Sequence, residues 1–160
     1  MVEIRKATIE DAGEIFLCCT RAFRDYIPLI GKTPGPMLMD YTEEIRYHSL
    51  FVACEKEKIA GFVLIKDANP DVNYAWLDVL AVNPSFQRKG IGRSLLQFCE
   101  NYILEQGKTQ CRLYTHVKYI DTQNVYLHYG YQIYDKVAES GYERYYMRKN
   151  LFNLILEECV

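Results

Sequence analysis

The chain has 160 residues, 49% of them hydrophobic and 25% charged, which is the composition of a globular protein with enough length for one core. A formal net charge of −2 and a pI near 5.9 provide no broad basic field, so nucleic acid is not an expected partner. The N-terminus lacks the apolar core of a signal peptide, and no apolar run is long enough to cross a bilayer, so no membrane partner is expected either.

Six cysteines are scattered along the chain without any C-x-x-C pair, and four of them lie inside apolar helix or strand patterns. This distribution favours buried free thiols over a metal site or a disulfide framework. We therefore expect a cytoplasmic protein that binds no metal.

The first third of the chain is predicted to form one strand and two helices. Residues 2–6 alternate between apolar and polar side chains, as a short strand does. Thr8 is expected to cap the following helix, with Asp11 completing a capping box. Residues 26–39 are rich in proline and glycine and are predicted to be a long shaped loop. Residues 40–47 can form a short helix.

The middle of the chain is predicted to form three strands and the strongest helix. Strands 50–55 and 59–66 flank a charged turn, which is the pattern of a hairpin. Strand 74–82 is apolar throughout except at Asp78, which predicts burial on both faces. Residues 90–106 place their apolar side chains on one helical stripe.

The last third is predicted to contain strand 111–116, helix 121–129 and two strands at 131–137 and 144–149. The chain contains no internal repeat, no low-complexity segment and no linker. Residues 1–160 are therefore expected to form one α/β domain with a mixed sheet.

The clearest chemical signal is Gln87-Arg88-Lys89-Gly90-Ile91-Gly92, between the strand 74–82 and the long helix. Unpaired N–H groups at a helix start, close backbone approach at glycine and local positive charge together favour a pyrophosphate site. The plainer alternative is that the two glycines only shape the turn. Neither the Walker motif nor the dinucleotide motif is present, because no Gly-Lys-Ser/Thr follows and Leu95 occupies the third glycine position.

The stretch from Leu80-Ala81-Val82-Asn83-Pro84 through Gln87-Arg88-Lys89-Gly90-Ile91-Gly92-Arg93-Ser94 resembles the acetyl-coenzyme A signature of GNAT N-acetyltransferases. The resemblance implies a single-domain GNAT fold, with a mixed, mostly antiparallel sheet splayed at its middle and flanked by helices. It also implies acetyl-CoA as the acyl donor. The cofactor-binding residues that it implies are Leu80, Ala81, Val82, Gln87, Arg88, Lys89, Gly90, Ile91, Gly92, Arg93, Ser94, Thr122 and Tyr126.

A second segment, Tyr126-Leu127-His128-Tyr129-Gly130-Tyr131, resembles the Tyr-x-x-x-Gly-Phe element of the same family. The resemblance implies that Tyr126 is the general acid that protonates the departing thiolate. Packing is the alternative role, since the chain has fourteen tyrosines. Many relatives carry asparagine at the position of Thr122, which departs from the family pattern.

The proton-accepting group is not defined by the resemblance, because Trp76 stands where many relatives carry a glutamate. Asp78 and His116 are the candidate bases. A structural hydrogen-bonding role is the alternative for Asp78, because a carboxylate in an apolar strand needs a partner.

The acceptor is expected to be an amine of a small molecule or a peptide. Residues 31–41 and 141–151 resemble segments of one GNAT subgroup, and Tyr26, Met37 and Tyr41 are interpreted as an aromatic acceptor wall. The apolar tail 151–156 is expected to pack either on its own sheet or on a second subunit, the latter giving a homodimer.

These observations lead to one main hypothesis and one alternative. The main hypothesis is an N-acetyltransferase that moves an acetyl group directly from acetyl-CoA to a primary amine within a ternary complex. The alternative is a non-catalytic module that binds an acyl-CoA as a sensor or interaction domain.

Overall fold

The computed structural model describes residues 2–67 and 69–152. The strands are β1 (Glu3–Lys6), β2 (Ser49–Glu55), β3 (Lys58–Lys66), β4 (Tyr74–Val82), β5 (Gln110–His116), β6 (Gln132–Glu139) and β7 (Tyr142–Asn150). The α-helices are α1 (Ala12–Phe23), α2 (Tyr26–Ile30), α3 (Tyr41–Tyr47), α4 (Ile91–Glu105) and α5 (Ile120–His128). Short 3₁₀ helices cover Ile9–Asp11, Gly35–Leu38 and Pro84–Phe86.

The strands form one sheet in the order β1-β2-β3-β4-β5-β7-β6. The pairs β1–β2, β2–β3, β5–β7 and β6–β7 are antiparallel. β4 and β5 form a short parallel ladder that pairs Tyr74–Trp76 with residues 110–112. A helix-containing crossover joins these two strands, as a parallel pair requires.

The described chain divides into two compact units, residues 2–67 with Leu77–Cys99 and Asn69–Trp76 with residues 100–152. The first unit has a core in which α1 and α3 pack on strands of the sheet. Phe62 of β3 is fully buried there, and Tyr41 packs edge-on against its ring at 5.4 Å between centroids. The other buried members of this cluster include Ile15, Cys18, Cys19, Leu50, Val52, Leu64, Val79 and Ala81.

The second unit buries alternate residues of β5 and β7. Leu113 and Met147 are Cα partners across these two strands, and both are at most 1% exposed. Ile103 near the end of α4 and Tyr131 before β6 are also buried. This side of the strands is therefore the core side of the unit.

The predicted N-terminal cap is confirmed. The backbone N–H of Thr8 donates to Asp11 Oδ2 at 2.8 Å, and Arg5 completes the arrangement with a salt bridge to the same carboxylate. This cap opens a 3₁₀ turn at Ile9–Asp11 before α1 begins, whereas the sequence predicted one continuous helix.

The prediction of a loop over residues 26–39 is wrong in part. The segment contains α2 and the 3₁₀ helix Gly35–Leu38. Pro28 lies in the first turn of α2, where its missing N–H would have no helical acceptor, and Gly31 ends the helix with a φ of 74°. Proline and glycine thus mark the ends of short helices here rather than their absence.

The prediction that β4 is buried on both faces is also wrong in part. Ala75, Leu77, Val79 and Ala81 are buried, but the residues between them are only half-buried. The apolar character of the second face therefore reflects half-buried residues such as Trp76.

Four of the five free cysteines in the described part of the chain are buried: Cys18, Cys19, Cys99 and Cys111. This agrees with the prediction of buried thiols. No described helix is both long and apolar enough to cross a membrane. Apart from Leu151 and Phe152, the apolar tail lies outside the described residues.

Candidate active site

The turn between β4 and α4 has a left-handed backbone at two positions. Gly90 has a φ of 76° and Arg88 a φ of 66°, so two left-handed residues precede the first helical residue, Ile91. The Ile91 side chain is buried, which anchors the start of α4. The first N–H groups of an α-helix have no acceptor within the helix, and they carry partial positive charge.

Gly92, the second glycine of the turn, packs against Val82. A Cβ at this position would lie 3.6 Å from Val82 Cγ2, in ordinary contact, so alanine would also fit. Arg88, Lys89 and Arg93 are exposed around the turn. Lys89 Nζ is 3.5 Å from Glu55 Oε2, whereas no ion pair among the described residues involves either arginine. The turn therefore combines backbone donors with two unneutralised guanidinium groups and fits a pyrophosphate.

The end of β4 is fixed to β3 by close backbone packing. The N–H of Asn83 donates to the Ala60 carbonyl at 2.7 Å. A Cβ on Gly61 would lie 2.7 Å from the Ala81 carbonyl oxygen. Because backbone groups alternate in direction along a strand, the N–H and C=O groups of Leu80 and Val82 point to the edge of β4 that faces away from β3.

Two of the predicted cofactor-binding residues have their side chains in the core. Ala81 is 3% exposed and Ile91 is 2% exposed. These two residues can offer a ligand only backbone groups. Gln87 and Ser94, in contrast, are exposed beside the turn.

Asp78 is part of a charged cluster in the first unit. Its side chain is 7% exposed, and Oδ2 lies 3.2 Å from Lys66 Nζ. The same ammonium is 3.7 Å from Glu44 Oε2, which is in turn 3.8 Å from His48 Nε2. The ion pair with Lys66 explains how a carboxylate is accommodated on an otherwise apolar strand.

In the second unit, Tyr126 packs against Tyr131. The two rings pack edge-on with 5.5 Å between centroids, and the Tyr131 N–H donates to the Tyr126 carbonyl at 3.0 Å. The Tyr131 hydroxyl donates to Glu100 Oε2 at 2.9 Å, and Lys149 Nζ is 3.0 Å from Glu100 Oε1. The half-buried Tyr126 ring therefore rests on a buried, hydrogen-bonded support.

His116 is the last residue of β5, and a hydrogen bond joins it to α5. Its Nδ1 accepts the Lys118 N–H at 3.1 Å, while its backbone carbonyl accepts a hydrogen bond from Gln123 Nε2 at 3.1 Å. Neutral His116 therefore carries its proton on Nε2, and its proton-accepting nitrogen already has a donor. Thr122 is half-buried on α5, one turn before Tyr126.

The predicted acceptor wall is wrong for Tyr41, which is 3% exposed. Its hydroxyl donates to the Pro36 carbonyl at 2.7 Å and is 3.3 Å from Cys19 Sγ. Burial, with the adjacent thiol, raises the pKa of this phenol well above its usual range. Tyr41 is therefore a core residue that ties the 3₁₀ helix Gly35–Leu38 to α1.

The family is decided by comparison with known sequences. The family described as "Acetyltransferase (GNAT) family" matches residues 15–131, which is more than half of the chain. The chain belongs to the GNAT acetyltransferase family. No curated protein sequence gives a significant match.

Solved structures of GNAT proteins share this fold. One is the PaiA N-acetyltransferase of Thermoplasma acidophilum in complex with coenzyme A, with a TM-score of 0.79 and 22% identity over 94% of this chain and 99% of that one. A second is the ribosomal-protein-S18-alanine N-acetyltransferase of Escherichia coli, with a TM-score of 0.75 and 16% identity over 94% of each chain. A third is Ard1 of Thermoplasma volcanium, with a TM-score of 0.72 and 18% identity over 94% of this chain and 97% of that one.

Family membership confirms the resemblance seen in the sequence, the predicted GNAT fold and acetyl-CoA as the acyl donor. Within the described residues, no group of three His, Cys, Asp or Glu side chains is placed to hold a metal ion.

The sequence analysis did not identify the Tyr131–Glu100 hydrogen bond next to Tyr126, nor the ion-pair partners of Asp78. Glu100 could have been found, because it lies four residues after Leu96 and three before Ile103 on the apolar stripe of α4. A charged residue on such a stripe requires a buried partner. Lys66 and Glu44 gave no comparable signal, since they are far apart in the sequence.

Proposed function

We propose that this GNAT acetyltransferase transfers the acetyl group of acetyl-CoA to a primary amine of a small molecule or peptide, directly and within a ternary complex. The observation that carries the proposal is the turn before α4. It combines left-handed residues at Arg88 and Gly90, a glycine against Val82 and exposed guanidinium groups at the start of a long helix. This is the chemistry that a pyrophosphate requires.

The donor would be held by backbone and charge. In the proposal, Arg88–Arg93 bind the pyrophosphate, with Gln87 and Ser94 at the rim. The outward-directed backbone groups of Leu80 and Val82 would pair with the pantetheine amides as an added strand does. Ala81 would contribute by its place in β4, and Thr122 by its hydroxyl. The coenzyme A complex of the Thermoplasma acidophilum protein supports this assignment by analogy of fold.

The transfer needs two proton movements. The neutral amine nitrogen forms a bond to the thioester carbonyl carbon, and the carbon–sulfur bond then breaks. We assign to Tyr126 the donation of its phenolic proton to the departing thiolate. The ring contact and the backbone hydrogen bond from Tyr131 support this assignment, because a proton donor must be held in a fixed orientation.

The substrate nitrogen must lose a proton during the transfer, and this proton needs an acceptor. We assign this role to Asp78 in preference to His116. Asp78 is a buried carboxylate beside Lys66, with Glu44 near the same ammonium. His116 is the weaker candidate because its Nδ1 already accepts the Lys118 N–H.

Cys18 and Cys19 are poor candidates to carry the acetyl group as a covalent intermediate. Burial raises the pKa of Cys18 to about 12 and the pKa of Cys19 to about 11. Neither is a thiolate at neutral pH, and the thiolate is the nucleophilic form. Their burial also fits the cytoplasmic location that we retain as part of the proposal.

The experiment is to incubate the protein with acetyl-CoA and a panel of amines and peptides, and to identify acetylated products by mass spectrometry. An acetylated amine supports the proposal and defines the acceptor class. Acetyl-CoA binding measured by calorimetry, without any acetylated product across the panel, would favour the acyl-CoA sensor instead. Mass spectrometry is preferred to detection of released thiol, because the six cysteines would react with thiol reagents.

A further inference from the structure

One face of the strands in the second unit carries aromatic and arginine side chains. We call it the Tyr–Arg face, and define it by Tyr74, Trp76, Arg112, Tyr134, Tyr146 and Arg148. Arg148 is exposed and the other five are half-buried. Leu113 and Met147, which follow Arg112 and precede Arg148, point to the opposite face of the strands and are buried.

Two arginines of this face stand directly opposite each other. Arg112 of β5 and Arg148 of β7 are Cα partners in the antiparallel ladder. Like charges in this position repel each other and destabilise the pair of strands. No ion pair within the described residues includes either of them, although Arg144 on β7 pairs with Glu139 at 3.1 Å. Residues 69–152 thus place these two arginines opposite each other with no ion pair to either.

Tyrosine rings hold both guanidinium groups. The Arg112 Cζ atom is 3.7 Å from the centroid of the Tyr74 ring, which is a stacking distance. The Tyr134 ring lies 5.3 Å from the same atom and 4.7 Å from Arg148 Cζ. Gln110 Oε1 accepts from Arg112 Nε at 2.7 Å, which leaves the terminal nitrogens of the guanidinium as its remaining donors.

An apolar surface adjoins the two cations. The Trp76 ring lies edge-on to both Tyr74 and Tyr146, with 5.8 Å between centroids in each contact. Indole and phenol rings offer large, rigid surfaces on which another ring can stack. Cations that bind carboxylates and rings that bind rings therefore lie side by side.

We propose that the Tyr–Arg face is a binding site for a small aromatic carboxylate. Its carboxylate oxygens pair with the guanidinium groups of Arg112 and Arg148, because the planar fork of arginine matches the planar carboxylate. Its ring packs on Trp76 and Tyr146. The bound anion removes the repulsion between the two arginines. The site does not depend on acetyl transfer, so it stands or falls separately from the proposed function.

The chain carries its own reporter of this site, because Trp76 is its only tryptophan. The test is a titration of the intact protein with phenylacetate, followed by tryptophan fluorescence and by isothermal titration calorimetry. Phenylacetamide serves as the uncharged probe of the same shape, and inorganic phosphate as the anion without a ring. We expect phenylacetate to bind at least tenfold more tightly than either.

The variants Arg112→Gln and Arg148→Gln should each weaken phenylacetate binding at least fivefold. Lys136→Gln is the matched control, because it also removes one positive charge from a strand of this unit. Lys136 is the Cα partner of Tyr145, on the opposite face, and pairs with Glu143 at 3.2 Å. Its phenylacetate affinity should stay within twofold of the unaltered protein.

Three results would overturn the proposal. The first is equal binding of phenylacetate and phenylacetamide, which needs no variant and so stays informative if an arginine variant fails to fold. The second is unchanged phenylacetate affinity in both arginine variants. The third is a change of Trp76 fluorescence with protein concentration alone, which would identify a second copy of the chain as the occupant.

Discussion

Tyr131 donates a hydrogen bond of 2.9 Å to the carboxylate of Glu100, and the two side chains are both buried. The bond joins α4 to the residue that packs against Tyr126. Its two partners lie 31 residues apart, so no local sequence pattern indicates it. Lys149 completes the arrangement at 3.0 Å from the same carboxylate. A buried charge with two partners stabilises the fold only while both are present.

The first prediction concerns this bond. Tyr131→Phe should lower the free energy of unfolding by about 1.5–3 kcal/mol, because it removes a hydrogen bond to a buried charge while keeping the ring. Chemical denaturation measures the difference. Tyr129→Phe, a half-buried tyrosine two residues earlier, is the control and should change stability by less than about 0.5 kcal/mol. Equal effects of the two substitutions would refute the role given to Glu100.

The second prediction concerns the close contact between β3 and β4. Gly61→Ala should destabilise the protein by about 1–3 kcal/mol, because the added Cβ would lie 2.7 Å from the Ala81 carbonyl oxygen and 3.1 Å from Leu95 Cδ1. Gly13→Ala in α1 meets nothing within 4 Å and should be neutral or stabilising. Thermal melting of the two variants compares them. A Gly61→Ala protein as stable as the Gly13→Ala protein would contradict the packing described for β4.

The third prediction concerns the acid range. The hydrogen-bonded salt bridge from Arg5, with the Thr8 N–H, holds the pKa of Asp11 below the ordinary value of 3.8. The folded state therefore binds the proton less readily than the unfolded state. This contribution to stability is complete at neutral pH, declines below pH 3.8 and is lost as the pH falls through the lower pKa of the folded state.

Asp11→Asn should accordingly cost about 1 kcal/mol at pH 7, and the difference from the unaltered protein should shrink towards pH 2. Urea denaturation across this pH range measures the difference. Glu10→Gln, at an exposed neighbouring carboxylate, should show no such pH-dependent gap. A gap that stays constant from pH 7 to pH 2 would contradict the lowered pKa.

The fourth prediction separates the two candidate bases. Asp78→Asn should lower kcat by about 100-fold or more, in the range of general base catalysis, while His116→Gln should lower it less than about fivefold. The difference is expected because His116 Nδ1 already accepts the Lys118 N–H. Steady-state rates with an identified amine acceptor measure both variants. A larger loss with His116→Gln would reverse the assignment.

Local signals in the sequence were sufficient for most of the fold. A nearly continuous apolar run located β4 to the residue, and the Thr8–Asp11 pair marked the entry to α1, because both depend on neighbouring residues only. The short helices between Tyr26 and Leu38 were missed, because proline within a first helical turn looks the same in the sequence as proline in a loop.

A candidate site can be proposed from the sequence where its motif is contiguous, as in the turn from Gln87 to Gly92. It was not predictable where partners come together only on folding. Tyr41 was mistaken for an acceptor contact because its burial depends on Phe62, which lies on another strand. The alternation of Tyr142, Arg144, Tyr146 and Arg148 along β7 was visible in the sequence, but its pairing with Arg112 required the register of the sheet.

The most direct test of acetyl transfer is the Tyr126→Phe variant, measured by both acetyl-CoA affinity and turnover with an accepted amine. The proposal predicts that kcat falls by about 100-fold to 10,000-fold, as for loss of a general acid, while acetyl-CoA affinity changes less than twofold. Tyr129→Phe, which removes the hydroxyl of a residue with no assigned role in the transfer, should retain full activity. A Tyr126→Phe enzyme that keeps its kcat would contradict the catalytic role given to this residue.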